Sequence, residues 1–573
     1  MARKQSKFKR KGFDGPEEIG AIKKSWAGRI RVLLVYPNTY HVGMSNLGYQ
    51  AVYALFNEND HIVCERFFLP DSKLYTHKQF ISLESGRPFS HFDSIAFSLS
   101  FEIDYLNMLE ILSLSGLPLN SKDRDINCPL IIAGGVACML NPEPISPFVD
   151  CFLIGEAEVI LPEFIDNYDP SENKHSSLKK LAAKVPGIYV PQFYKESYNK
   201  DNTLRTFETI EDVPEKINRR FVKNLSDIST QSTLLTPNTA FSNAFLIEIG
   251  RGCYHGCRFC AAGYIYRPPR FRPTSQISES FDHAFPLTDK IGLVGSAVSD
   301  LPGIIDLCEK AHQHHRYLSF SSIRADALTP ELATALHNVG VKTATIAPEG
   351  GSERIRKVIN KGITESDILQ ATEFLVTAGI PNLKLYFMIG LPTETMDDIE
   401  GLVKLCESIK NSFLTFSRPQ KKMGNITVSL NPFIPKPFTP FQWTPMDHEQ
   451  SLKTKIKYIK KGLKPIPNMD LQIEKPRSAY IQTMLSRGNR KISLILKQAL
   501  KNQRNWTKTL KSAPIDPEFY TYREIPINEL LPWDFIDHGI HKQFLQKEYK
   551  KAMNDQISEP CLMDDCNICG VCK

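Results

Sequence analysis

The sequence predicts an α/β protein: an N-terminal doubly wound sheet, then a partial (β/α)6 barrel, then a basic helical region that ends in a cysteine-rich tail. Three observations carry that prediction. Apolar runs of strand length alternate with helical stretches from about residue 29 to 165 and again from about 245. The polar and glycine-rich motifs fall just after those runs, where α/β folds place their chemistry. Seven of the 13 cysteines sit in two tight clusters, Cys253 to Cys260 and Cys561 to Cys572.

At 573 residues the chain is too long for one ordinary domain. The expected parts are a flexible basic tail over 1–28, a Rossmann-like unit over 29–165, a connector over 166–240, the barrel over 241–445 and the basic region over 446–573. The 42% hydrophobic content is that of a soluble globular protein. Apolar runs of membrane-spanning length and a secretory core are both absent from the sequence, so no membrane partner is expected. Clustered cysteines without an export signal point to metal sites and a reducing, cytoplasmic location.

In the first unit, Arg31–Tyr36, Ser94–Ser100, Pro129–Gly135 and Cys151–Gly155 read as buried strands. A glycine-bearing loop, His41–Gly48, and a helix to about Asn57 follow the first strand; a second helix spans Asp104–Ser113. The connector is polar, with a small hairpin at most. Six strand candidates then recur at 245–249, 291–295, 317–322, 342–347, 383–389 and 425–431. Helical stretches at 300–314, 328–338, 365–378 and 395–411 separate most of them. This repeat closes most of a barrel but falls short of eight units.

Cys253-Tyr-His-Gly-Cys257-Arg-Phe-Cys260 follows directly on the first barrel strand. Three thiolates at spacings of three and two can wrap one face of an iron–sulfur cluster. The fourth iron then lacks a local ligand and can hold a small molecule. The competing reading is zinc completed by a distant ligand such as His255, but zinc sites more often pair short Cys-x2-Cys units.

This motif, with Phe259 just before its last cysteine, resembles that of the radical S-adenosylmethionine (SAM) superfamily. The resemblance implies a 4Fe–4S cluster on Cys253, Cys257 and Cys260 that chelates SAM and cleaves it to a 5′-deoxyadenosyl radical. It also implies an external electron donor of the flavodoxin or ferredoxin kind. Gly295-Ser296, where the superfamily usually has a Gly-Gly-Glu type element, is expected beside the amino group of SAM. Ser322-Ile-Arg324 is expected near its carboxylate or ribose, Glu349 near its ribose or methionyl group, and Gly390 with Glu394 near its adenine. No acid, base or nucleophile is assigned as catalytic. Gly134-Gly135, Asn141-Pro-Glu-Pro144, Asp150 and Gly155-Glu156-Ala-Glu158 resemble the cobalamin-binding domain that precedes the barrel in one branch. Cobalamin is thus a candidate cofactor, with methyl transfer as its outcome. The Asp-x-His-x-x-Gly loop of some cobalamin domains is absent, and His41 reads as structural. Arg477–Arg490, Leu531–Gly539 and the cysteine tail resemble a bacterial family of the same superfamily.

The tail, Cys561-x4-Cys566-x2-Cys569-x2-Cys572, supplies four thiols in twelve residues. It can close a second iron–sulfur cluster or a structural zinc site. From Ser451 to Lys511 there are 16 Lys and Arg against Asp470 and Glu474, which suits RNA or another polyanion or else a solvated face. Two alternatives follow: a methylthiotransferase-like RNA-modifying enzyme, and a non-enzymatic iron–sulfur or RNA-binding factor. Arg267-Pro-Pro-Arg-Phe-Arg272 reads as a gate or anion contact at the barrel mouth, or equally as packing. His312, His314 and His315 read as a solvated face, Asp397-Asp398 as a helix start, and the six isolated cysteines as mostly core.

Overall fold

The computed structural model describes residues 16–71, 79–421, 423–563, 566 and 568–572. Its N-terminal sheet runs in the order Ile62–Leu69, Ile30–Thr39, Ser94–Ser98, Leu130–Gly134, Cys151–Leu153, Ile188–Tyr189. The first five strands are parallel and the last is antiparallel. Strand order reverses at Ile30–Thr39, which opens a crevice at the carboxyl ends of the strands.

The strand Ile62–Leu69 is absent from the sequence reading because Glu65 and Arg66 interrupt its apolar run. Both are buried, and buried charges need partners. Arg66 donates to Glu18 at 2.7 Å and Glu84 at 2.6 Å, and Trp26 donates to Glu65 at 2.7 Å. These bonds correct the expected extent of the flexible tail: residues 16–28 are pinned to the sheet. Ile19 also bridges Leu235, and Lys24 donates to the Asn59 carbonyl at 2.8 Å. Residues 1–15 lie outside the described residues.

The barrel strands form two parallel sheets. One holds Phe245–Glu248, Lys290–Val294 and Tyr317–Ser319; the other holds Thr343–Glu349, Asn382–Ile389, Ile426–Pro432 and Met469–Ile473. A parallel bridge between Ile323 and Ile346 joins them. The helices Ile304–Gln313, Pro330–Asn338, Glu365–Thr377 and Met396–Ser417 occupy the expected intervals. Asp398 closes a capping box with Thr395, as the helix-start reading of Asp397-Asp398 requires. A seventh strand, Met469–Ile473, comes from the segment expected to be wholly helical.

Three motifs far apart in sequence meet in one seam between the C-terminal region and the N-terminal sheet. Asn141 Nδ2 donates to the carbonyls of Ser486 at 3.0 Å and Gly488 at 2.7 Å. Arg490 Nε donates to Glu143 at 3.0 Å, and His538 Nε2 lies 2.9 Å from the Met139 carbonyl. Asn141–Pro144, Ser486–Arg490 and Leu531–Gly539 therefore hold elements together. Among the described residues, no helix is long and apolar enough to cross a membrane.

Candidate active site

The cysteine loop starts where the first barrel strand ends. Gly250–Arg251 pairs antiparallel with Arg270–Phe271, and the short helix Ala262–Ile265 follows Cys260. The loop is fixed from below by Arg258, which is fully buried. Its guanidinium donates to the carbonyls of Lys357 at 3.1 Å and Val358 at 2.9 Å, and to Glu548 at 3.1 Å. Asn360 Nδ2 donates to the Gly256 carbonyl at 3.2 Å. Cys257 is buried; Cys253 and Cys260 are half-buried. Burial pushes the Cys253 thiol up to about 12, with Cys257 and Cys260 adding to the rise, and burial also raises Cys260. Iron binding takes the proton from such thiols.

Among the described residues, no three His, Cys, Asp or Glu side chains gather to hold a single metal ion. A cubane puts each thiolate on a different iron, so three cluster cysteines need not converge as ligands to one ion do. His255 Nε2 sits 2.7 Å from Asp300 Oδ2, which occupies the histidine considered for zinc. Burial opposes the Asp300 carboxylate, yet bonds from His255 and Tyr254 hold its pKa below the usual range.

Beside the loop lies a cavity of about 610 Å³. One wall is the rim of the N-terminal sheet: Asn46, Gly48, Ser98, Ser100, Gly134 and Gly135. The other is the barrel rim: Gly250, Arg251, Gly252, Val294, Gly295 and Ser296. Gly135 has φ +107°, and a Cβ there would sit 2.5 Å from the Leu99 carbonyl oxygen, so only glycine fits this turn. Glu156, Glu158 and Glu248 line the cavity too. Arg251 bonds all three, at 2.7 Å to Glu156 and 2.9 Å to Glu248. Arg270 reaches Glu156 at 2.7 Å, and Arg272 reaches Glu248 at 2.6 Å. The arginine run is therefore no mouth gate. Arg267, Arg270 and Arg272 are all buried, and their partners lie too far away in sequence to be legible.

Gly295 and Ser296 share this cavity; the other residues expected at SAM lie elsewhere on the rim. Ser322 is half-buried, and Arg324 forks onto Asp326 at 3.0 and 2.7 Å. Glu349 stands in left-handed backbone (φ 65°), 3.8 Å from Lys361, and burial raises its pKa against that cation. Such strain in a non-glycine residue is typical of functional sites. Glu394 accepts from the Gly390 amide at 2.6 Å and pairs with Lys455 at 2.8 Å. Burial still raises its pKa. Gly390 and Glu394 line a separate cavity of about 670 Å³. Phe259 packs against a small apolar cluster that includes Ile355, Val358 and Phe433. His312, His314 and His315 are exposed, and Cys64, Cys138, Cys151, Cys308 and Cys406 are core while Cys128 is half-buried.

A three-cysteine loop at the carboxyl end of the first strand of a parallel barrel defines a class: enzymes that bind SAM on an iron–sulfur cluster. The comparisons agree. Residues 247–406 match the radical SAM superfamily and residues 48–191 match the N-terminal region of radical SAM proteins. An uncharacterized protein of Methanocaldococcus jannaschii is 34% identical over 475 residues, covering 81% of this chain and 90% of its own. An uncharacterized methyltransferase of Pyrococcus horikoshii is 22% identical over 50% of this chain and 60% of its own. A tRNA-2-methylthio-N(6)-dimethylallyladenosine synthase of Wolbachia sp. subsp. Brugia malayi is 27% identical over 30% of this chain and 42% of its own. Among solved structures, the cobalamin-dependent SAM radical enzyme OxsB is 16% identical over 92% of this chain and 80% of its own, with TM-score 0.47. The chain belongs to the radical SAM superfamily. It is an enzyme whose cofactors are a 4Fe–4S cluster and SAM, and such enzymes take their electron from outside. The reading as a non-enzymatic factor is overturned by that membership.

Proposed function

We propose that the chain is a cobalamin-using radical SAM enzyme that transfers a methyl group to an unactivated carbon. The observation that carries this reading is a cavity of about 610 Å³ walled by both the N-terminal sheet rim and the barrel rim. Its residues fit a corrin. Ligands of doubly wound sheets bind at the strand-order reversal, and Gly134-Gly135 leave the backbone open there. The wall is largely apolar, with Leu246, Val136, Phe97 and Tyr266 among its residues. No histidine lines it, and His41 lines a different cavity. Cobalt would therefore take no histidine from these walls.

When bound, cobalamin supplies methyl-group chemistry, and the cluster with SAM supplies a carbon radical. The chain's own residues do the rest. Cys253, Cys257 and Cys260 hold the cluster. Arg251 and Arg270 neutralise Glu156, Glu158 and Glu248, so the cavity presents paired charge rather than a free carboxylate. The apolar walls exclude water from reactive species. Gly295 and Ser296 face the cavity from the cluster side, where they can meet SAM. A flavodoxin- or ferredoxin-like donor in a reducing cytoplasm completes the reading, which suits thirteen unpaired cysteines. The methyltransferase name of the Pyrococcus relative points the same way.

The test uses the full chain, reconstituted anaerobically. Cobalamin is expected to bind with a spectral change. SAM with dithionite and candidate acceptors is expected to yield both 5′-deoxyadenosine and S-adenosylhomocysteine. Ala51→Trp, which fills the cavity from its helix, should abolish cobalamin binding and leave 5′-deoxyadenosine formation in place. A wild type that binds no cobalamin overturns the reading.

RNA modification is the second reading. The names of the synthase relatives favour it, as does an outward lysine row, Lys453, Lys457, Lys460, Lys461 and Lys464. Lys455 and Arg487 of the basic stretch turn inward instead. RNA affinity that falls steeply with salt supports this reading; no binding at low salt removes it.

A further inference from the structure

The four-cysteine tail lies against the catalytic cysteine loop. The amide of Cys561 donates to the carbonyl of Tyr254 at 2.8 Å, and Tyr254 is the neighbour of Cys253. Three residues earlier, Ser558 is held at both backbone ends by Asn360: its amide donates to Oδ1 at 2.8 Å and its carbonyl accepts from Nδ2 at 3.1 Å. The same Nδ2 donates to Gly256 in the catalytic loop. The Ser558 hydroxyl donates to Glu548 at 2.8 Å, and Glu548 is the carboxylate on Arg258. Further on, the amide of His541 donates to the Cys569 carbonyl at 2.9 Å. The tail is thus docked, through side chains that also fix the catalytic loop.

The second observation is a buried cation. Arg267 is buried, stacks on Tyr264 and Phe544 at 5.0 and 5.3 Å, and donates Nε to the Gly263 carbonyl at 2.7 Å. No carboxylate among the described residues pairs with it. Its guanidinium lies within electrostatic reach of the Cys569 and Cys561 thiols. A buried guanidinium facing neutral thiols would lack a counter-charge, and that is costly. Thiolates on a metal centre supply one.

We propose that Cys561, Cys566, Cys569 and Cys572 hold a second iron–sulfur cluster, which passes one electron to the catalytic cluster beside it. This inference is independent of the cobalamin reading. The spacing of the first three thiols is that of plant-type ferredoxin ligands. The hydrogen bonds from Cys561 to Tyr254 and from His541 to Cys569 hold this stretch beside the catalytic loop. With four protein ligands the tail cluster has no open iron, so its role is electron transfer rather than SAM binding. Cys561 and Cys572 are half-buried while Cys566 and Cys569 are buried, which sets one side of the centre toward solvent. A low-potential one-electron donor reduces that side. The electron then crosses the Cys561–Tyr254 hydrogen bond to the loop, the tail cluster is reoxidised, and no proton or bond changes hands.

The experiment compares the full chain with two variants after anaerobic reconstitution: the loop triple Cys253→Ala/Cys257→Ala/Cys260→Ala and the tail double Cys566→Ala/Cys569→Ala. Circular dichroism checks that each is folded. The wild type is expected to bind about six iron and six sulfide with a 2Fe–2S tail cluster, or about eight of each with a 4Fe–4S one; the tail variant keeps about four, and the loop variant keeps the remaining two or four. Reduced wild type should show two interacting paramagnetic centres by EPR, and the tail variant one, which SAM perturbs. Freeze-quench reduction of the catalytic cluster by reduced flavodoxin should slow at least tenfold in the tail variant. Zinc in place of the tail iron overturns the proposal, as does a loop variant without iron. An unchanged reduction rate in the tail variant overturns the relay. A loop cluster missing from a tail variant that holds four iron would instead count against the catalytic assignment.

Discussion

The two cysteine sites differ in number of thiols and in what holds them. The catalytic loop has three, at a strand end that the barrel topology dictates. The tail has four on a segment with almost no regular structure, held by hydrogen bonds to that loop. Three ligands leave an iron open for substrate; four close the centre. Between them lies a fully buried arginine, Arg258, with Glu548, Ser558 and Asn360 around it. The joint therefore depends on paired charge, whereas each site by itself depends on backbone and apolar packing.

The largest expected effect breaks one side of that comparison. Cys257→Ala should leave 5′-deoxyadenosine formation at background while the tail keeps its metal, as read by iron content and product assay. A variant that still cleaves SAM would remove the loop from the chemistry. Next is the joint. Arg258→Ala leaves the buried Glu548 carboxylate with only Lys551, at 3.1 Å, as its cation, so the cost falls below the roughly 3–5 kcal/mol of a fully unpaired buried charge. Denaturant unfolding should report that loss, and both centres should become chelator-sensitive together. If only the tail centre is affected, the two sites are not coupled through Arg258. Ser558→Ala is milder. It removes a hydroxyl bonded to Glu548 at 2.8 Å and to Lys551 at 2.9 Å, worth about 1.5–3 kcal/mol for bonds to charged groups. Its effect should fall on the tail alone, seen as faster loss of tail iron to a chelator.

The barrel was legible because parallel strands buried on both faces are continuous apolar runs. Six of its strands stand within a few residues of their sequence-derived positions. Two of the longer strands that were not legible share one cause: Ile62–Leu69 carries Glu65-Arg66, and Met469–Ile473 alternates Asp470 and Gln472 with apolar residues. Each is stabilised by partners elsewhere in the chain. The site divides the same way. The cysteines announce themselves by spacing, but the arginine run could not be read, since Arg270 meets Glu156 across 114 residues. Asn141–Pro144, which resembles part of a cobalamin-binding-like domain, also packs in a seam that could not be read, because its partner Ser486–Arg490 lies a further 345 residues along.

The smallest effect tests how the tail is anchored at its far end. Cys569 hangs from His541, three residues after His538, whose ring lies buried against Phe438 and bonded to the Met139 carbonyl. Burial, aided by nearby Arg219, lowers its pKa from 6.5 to about 3. Between those two values the unfolded chain binds a proton that the folded chain refuses. Stability is therefore full above about pH 6.5 and falls with acidification, by up to about 1.4 kcal/mol per pH unit. His538→Gln keeps a donor for Met139 and loses the titration. Thermal unfolding between pH 6.5 and 5 should fall more steeply for the wild type than for the variant. Tail iron should be released in the same interval, before loop iron. Parallel curves for the two proteins would mean that His538 is not the group that sets the acid sensitivity of this anchor.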